Sequence, residues 1–213
     1  MFLLKDSIEF PPVELADEDG LLAIGGDLGT ERLIHAYSKG IFPWYNEDEP
    51  ICWWCPDPRF VLFPEEIQVS KSMQRVCNSN VFQFKVNTRF AEVIAACKSI
   101  SRKGQHGTWI SPAVQEAYTR LHEEGHAQSA EAWQNGKLVG GLYGIRMGNI
   151  FFGESMFSKT ANASKFALIS YVELLRKEGV KLIDCQVYAT HLESLGACMI
   201  PRATFAKFLS ENI

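Results

Sequence analysis

AEAWQNGKLVGGLYGIRMGNIFFGESMF, residues 130–157, carries three strand signals in succession. Asn135-Gly136 is the dipeptide of a two-residue hairpin turn, because both residue types tolerate the positive φ that such a turn demands. The flanking segments Ala130–Trp133 and Lys137–Ile145 are rich in apolar, β-branched and aromatic residues, and predict the two arms of a hairpin. Gly148 punctuates the chain again, and Asn149–Phe157 predicts a third strand. Three neighbouring strands joined by tight turns make an antiparallel meander.

Helical patterns surround this meander. Upstream, Phe90, Val93, Ile94 and Cys97 recur at helical spacing and predict a helix over Phe90–Ile100. Ser111-Pro112 pairs a capping residue with proline at the first helical position, and Val114, Ala117, Tyr118 and Leu121 share one face of the helix it starts. Gly125 ends that helix. Downstream, Asn162 is expected to cap a helix over Ala163–Lys177 with Phe166, Ile169, Val172 and Leu175 buried, and Gly179 to close it. Leu182–Val187 predicts one more short strand, in which Asp184 and Gln186 share a face. The fold class expected is α+β with a mainly antiparallel sheet.

The first 62 residues read differently. They hold four Lys/Arg against twelve Asp/Glu, whereas the remainder holds 17 against 13. Residues 1–20 are acidic, contain Pro11-Pro12 and predict an extended arm. Thr30 is expected to cap a short helix over Glu31–Ser38, with Gly40 closing it. Gly40–Arg59 is dense in Pro and Trp and predicts a rigid loop. A boundary near Leu62 gives a small N-terminal domain, 1–62, and a larger domain, 63–213.

The whole chain has 213 residues, 46% hydrophobic and 22% charged, with a formal net charge of −4. That composition supports a real core and does not by itself announce a nucleic-acid binder. The charge asymmetry points to an acidic N-terminal part and a C-terminal part able to face a polyanion. No apolar run approaches a membrane span, and the N-terminus lacks the pattern of a signal peptide, so a cytoplasmic, membrane-free protein is expected. Cys52 and Cys55 form a CxxC followed by Pro56 and Pro58, without a second ligand pair; with Cys77, Cys97, Cys185 and Cys198 they read as reduced cysteines. His122 and His126 lack a third ligand and read as structural. The phosphate loop GxxxxGK[ST], the GxSxG elbow and HExxH are absent from the sequence.

Three features suit chemistry better than architecture. Glu154 interrupts an apolar strand, and a carboxylate in apolar surroundings needs a partner or a raised pKa. Asp184 and Gln186 put two polar side chains side by side on a late strand, which can address a substrate in a cleft or form the exposed polar face of an edge strand. Trp44, Trp53, Trp54 and Trp109 lie in Pro-rich or Gly-rich context, where tryptophan can stack on an unpaired base or plug a core edge.

Taken together, the segments Gly20–Leu28, Ala36-Tyr37, Gly40–Trp44, Trp53-Trp54, Pro56–Arg59, Gly107–Ile110, Leu121-His122, Gly125-His126, Leu138–Gly141, Gly153–Ser158, Asn162–Lys165, Leu182–Val187, Ser194–Ala197 and Ile200–Arg202 resemble, in order and over nearly the whole chain, the leucyl/phenylalanyl-tRNA–protein transferase family. The resemblance implies a small N-terminal domain packed on a domain like those of the N-acetyltransferase superfamily. It implies transfer of Leu or Phe, with Met also a candidate, from the 3′ end of an aminoacyl-tRNA to the N-terminal Arg or Lys of a protein, which marks that protein for degradation by the N-end rule pathway. By position, Trp44 and Trp109 would hold the terminal adenosine. Leu142, Met156, Tyr171 and Ile183 would line the side-chain pocket, and Glu154, Asp184 and Gln186 would stand at the reaction centre. A monomer is expected.

Aminolysis of an ester already activated requires no ATP or metal in principle, and no cofactor is expected. An N-terminal amine has a pKa of about 7.7–8.0, so part of it is neutral near pH 7. A side-chain amide is barely basic. Gln186 is therefore expected to orient the amine through its carbonyl oxygen while Asp184 holds the amide, and Glu154 to attract the cationic acceptor residue or take a proton. Asp184 and Glu154 both remain candidates for the general base. Contact with RNA is expected at the acceptor end, through some of Lys71, Arg75, Arg102, Lys103, Lys159 and Lys165. The competing readings are an acetyl-CoA-dependent acetyltransferase, for which no pyrophosphate loop precedes Ala163, and a non-catalytic RNA-binding module.

Overall fold

The computed structural model describes residues 2–100 and 108–213. The described strands are β1 (Phe2–Leu4), β2 (Leu21–Gly25), β3 (Phe42–Pro43), β4 (Cys52–Trp54), β5 (Arg59–Leu62), β6 (Gln83–Val86), β7 (Ala127–Gln134), β8 (Lys137–Met147), β9 (Ile150–Ser158), β10 (Leu182–Gln186) and β11 (Cys198–Ile200). The α-helices are α1 (Thr30–Ser38), α2 (Lys71–Asn78), α3 (Phe90–Ser99), α4 (Pro112–Glu123), α5 (Ala163–Lys177), α6 (Thr190–Glu193) and α7 (Arg202–Asn212). Among the described residues, no helix is long and apolar enough to cross a membrane.

The predicted meander is the heart of a seven-stranded sheet ordered β11-β5-β10-β9-β8-β7-β6. Asn135 (φ +51°) and Gly136 (φ +74°) make the hairpin turn, and β7, β8 and β9 pair antiparallel as their tight turns predict. The exception to antiparallel pairing in this sheet is β9 with β10, which run parallel across the α5 crossover. Helix α5 can lie close to β8 because Gly140 has no side chain: a Cβ there would come within 2.6 Å of Ala163 Cβ.

A four-stranded sheet, β1-β2-β4-β3, draws three of its strands from residues the sequence reads as an arm and a loop. Two corrections follow. The segment 1–20 contributes β1, parallel to β2, and Gly40–Arg59 contributes β3 and β4. These strands are two to three residues long, too short for periodicity to reveal. Strand β5 belongs to the larger sheet, between β11 and β10. One core cluster runs through both sheets: Leu22, Leu33 and Trp53 from one side join Val61, Phe152 and Leu182 from the other.

Two expected side-chain caps are not made. The N-cap of α1 is Gly29, and Asp27 Oδ1 accepts its N–H at 2.7 Å, while the buried Thr30 Oγ1 has no hydrogen-bond partner among the described residues. Asn162 sits at φ +68° without a capping bond, and Ser158 Oγ accepts the α5 N–H of Ser164 instead, at 3.2 Å. Ser111 does cap α4, accepting from Val114 N at 3.2 Å.

Candidate active site

Strands β9 and β10 pair only from Leu182↔Ile150 to Asp184↔Phe152. Beyond that point β9 continues against β8 to Ser158, while β10 shifts register between Asp184 and Gln186 and follows β5, Gln186 lying opposite Phe60. The two strands therefore part, and a cavity of about 880 Å³ opens between them. Its size suits a drug-sized ligand or the end of a larger one.

The polar floor of the cavity is one connected network. Glu154 Oε1 accepts from Tyr37 Oη at 2.7 Å and from Gln186 Nε2 at 2.8 Å, and Oε2 accepts from Tyr118 Oη at 3.3 Å. The Tyr37 and Tyr118 hydroxyls also touch each other. Gln186 adopts φ +64°, a conformation uncommon outside Gly and Asn, and its backbone N–H donates to Asp184 Oδ1 at 2.9 Å. Asp184 in turn accepts two bonds from Arg59, Nε to Oδ1 at 2.8 Å and Nη2 to Oδ2 at 2.6 Å, and both side chains of this pair are fully buried.

Burial pushes the Glu154 carboxyl up to about 7. The Tyr37 hydrogen bond opposes that rise, the Asp184 charge adds to it, and the bonds from Gln186 and Tyr118 oppose it again. Tyr37 and Tyr118 are held well above the ordinary tyrosine value, first by burial and next by the Glu154 charge, so both stay protonated donors. Glu154 is thus poised to exchange a proton near neutral pH, as a general acid or base requires. Asp184 is held by both prongs of the Arg59 guanidinium and by the Gln186 N–H.

The walls are apolar and aromatic. Leu142, Met156 and Ile183 line the cavity, as do Trp44 and Trp109. Trp44 is 43% exposed and tilted against Trp54, with ring centroids 5.9 Å apart, whereas Trp109 is buried. The carboxylates, Gln186, both tryptophans and three pocket residues expected from the sequence therefore converge on one place. Tyr171 does not reach it: its ring packs edge-on against Phe151, which lines the cavity, and its hydroxyl donates to Gln128 Oε1.

Among the expected RNA-facing cations, Lys165 borders the cavity beside the start of α5, while Lys71 and Arg75 lie exposed on α2 and Lys159 is exposed after β9. Arg102 and Lys103 lie outside the described residues. His122 stacks on Phe90 at 4.2 Å with Nδ1 2.8 Å from the Ala127 carbonyl oxygen, a structural role.

Three site residues escape sequence reading: Arg59, Tyr37 and Tyr118. The tyrosines look like ordinary apolar-face residues of α1 and α4. Tyr37 and Arg59 stand in segments that carry the family resemblance but bear no role there, and Arg59 opens the otherwise apolar run Phe60-Val61-Leu62.

Residues 61–210 match the family model described as leucyl/phenylalanyl-tRNA protein transferase, and residues 26–57 match the model of that protein's N-terminal domain. A leucyl/phenylalanyl-tRNA–protein transferase of Christiangramia forsetii is 56% identical over 98% of this chain and 100% of its own length. One from Flavobacterium johnsoniae is 56% identical over the full length of both.

The chain belongs to the leucyl/phenylalanyl-tRNA–protein transferase family.

Similarity to solved structures is far looser. An aminoglycoside acetyltransferase from an uncultured soil metagenomic sample is 13% identical, with TM-score 0.41 over 62% of this chain and 88% of its own, a likeness that carries no argument about the transferase.

Proposed function

We propose that this transferase moves leucine or phenylalanine from the 3′ end of an aminoacyl-tRNA to the N-terminal Arg or Lys of a protein, marking it for degradation, and that the parted-strand cavity is where it does so. The observation that supports this most directly is the Glu154–Gln186–Asp184 network at the floor of an apolar, tryptophan-bordered cavity. Leu142, Met156 and Ile183 receive the donor side chain, with Tyr171 backing the pocket through Phe151. Trp44 and Trp109 hold the terminal adenosine.

The acceptor amine attacks the ester carbonyl carbon. A C–N bond forms, the bond to the ribose oxygen breaks, and the proton lost by nitrogen ends on that oxygen. Because Gln186 Nε2 is engaged by Glu154, its carbonyl oxygen is the end left to orient the amine. Glu154, near neutrality, takes the proton and returns it to the leaving hydroxyl. Asp184, fixed on Arg59, is not the base. Positioning of this kind supplies several kcal/mol of barrier reduction.

Residues 1–62 act as a small domain over an acyltransferase-like domain, 63–213, to whose sheet they lend β5. The transferase works as a cytoplasmic monomer.

The test is transfer of radiolabelled leucine from leucyl-tRNA to a protein with N-terminal Arg. Gln186→Ala is preferred to Asp184→Ala, because removing Asp184 strands a buried guanidinium. A folded Gln186→Ala protein should lose about 100-fold in kcat, the scale expected for a misplaced reacting group. Wild-type rates in that variant would sink the site assignment, and no transfer by folded wild type would sink the activity.

A further inference from the structure

Arg59 is buried where a guanidinium is expensive. Its Cζ lies over the rings of both Phe42, on β3, and Phe205, on α7, 4.7 Å from each centroid. Both Arg59 and Asp184 are fully buried, and Nη1 has no hydrogen-bond partner among the described residues. Taking two charges out of water costs several kcal/mol each, and a well-packed apolar pair of similar volume often serves stability as well or better. Stability alone is thus a weak reason for this pair.

The pair does not end at Asp184. The Oδ1 that accepts Arg59 Nε also accepts the backbone N–H of Gln186, across the register shift between Asp184 and Gln186. That shift, with Gln186 at φ +64°, lets the Gln186 side chain reach Glu154 Oε1 on β9. The order of contacts is Arg59 to Asp184 to Gln186 to Glu154, running from two aromatic rings to the cavity floor.

We infer that Arg59 is a positioning residue for the transfer reaction: packed against Phe42 and Phe205, its bidentate grip on Asp184 holds Gln186 in the conformation that faces Glu154. This rests on the assignment of Gln186 and Glu154 to the reaction centre proposed above. A lysine keeps the charge but cannot reproduce the two-pronged grip.

The experiment is a double-mutant cycle on transfer from leucyl-tRNA, with wild type, Arg59→Lys, Gln186→Ala and the double variant, each checked for folding by circular dichroism. Arg59→Lys should lower kcat 10- to 100-fold, with KM for leucyl-tRNA within threefold, because Arg59 is absent from the apolar donor walls. In the Gln186→Ala background the same substitution should cost less than threefold more, since coupled residues are non-additive. An undiminished loss in that background, or wild-type kcat in Arg59→Lys, overturns the inference. If Arg59→Lys does not fold, Phe205→Leu, which removes one ring from Arg59 and leaves the ion pair intact, carries the same cycle with the same criteria. Wild-type rates in Gln186→Ala alone would instead remove the assignment of the site, and the inference with it.

Discussion

Glu154 couples stability to pH. Its folded-state pKa of about 7 lies above the ordinary carboxylate value, so between roughly pH 4.5 and 7 the folded chain keeps a proton that the unfolded chain releases. Stability therefore falls as pH rises through that window and levels off above it. Glu154→Gln removes the buried charge. Its Tm relative to wild type should be more favourable at pH 8 than at pH 5, measured by thermal denaturation at both. Its kcat should fall, and the limb near pH 7 in the wild-type profile should be lost; persistence of that limb would assign it to the acceptor amine. At the mouth, Trp44→Ala should weaken binding of an aminoacyl-adenosine analogue by ~1–3 kcal/mol, the worth of one base stacked on an aromatic ring. Unchanged affinity by titration calorimetry would place the adenosine elsewhere.

At the level of elements, Glu131 ties β7 to the start of α3. Buried, it accepts from Thr88 N at 2.8 Å, Arg89 N at 2.8 Å, Trp133 Nε1 at 2.9 Å, Ser129 Oγ at 3.0 Å and the Thr88 hydroxyl. Burial alone would raise its pKa, but the bonds from Thr88, Arg89, Trp133 and Ser129 outweigh that and hold it below the ordinary value. Glu131→Ala strands several donors and should cost ~3 kcal/mol by urea denaturation, with the site chemistry intact in the folded fraction. Gly140→Ala drives a methyl into the first residues of α5 and should lower Tm, whereas Gly136→Ala meets no atom within 4 Å and is limited by its turn conformation.

Over the whole molecule, the candidate site draws on both parts of the chain. Tyr37 and Trp44 come from the N-terminal 62 residues, Glu154 and Gln186 from the seven-stranded sheet, and the shared core binds the two. Calorimetry should accordingly show one cooperative unfolding transition, and two resolved transitions would contradict the shared core. Only some of Lys71, Arg75, Arg102, Lys103, Lys159 and Lys165 are expected to face RNA. With about four phosphates neutralised, affinity for tRNA should fall with salt on a log–log slope of about −3. A much steeper slope would mean a wider RNA footprint.

The hairpin at Asn135-Gly136, the helices α3, α4 and α5 and the polar residues of β9 and β10 are legible in the sequence, because turn chemistry and the two periodicities are local properties. So is the family, because its segments recur in order along the chain. The short strands β1, β3, β4 and β11 are not legible, since two or three residues show no period and their pairing partners are distant. The pairing of Arg59 with Asp184, 125 residues apart, and the meeting of Tyr37 and Tyr118 at Glu154 likewise depend on long-range register. Sequence alone singled out Glu154, Asp184 and Gln186 as candidates; only the tertiary structure distinguished their surroundings, because burial and hydrogen-bond partners, which decide where a proton can rest, are properties of the packed chain.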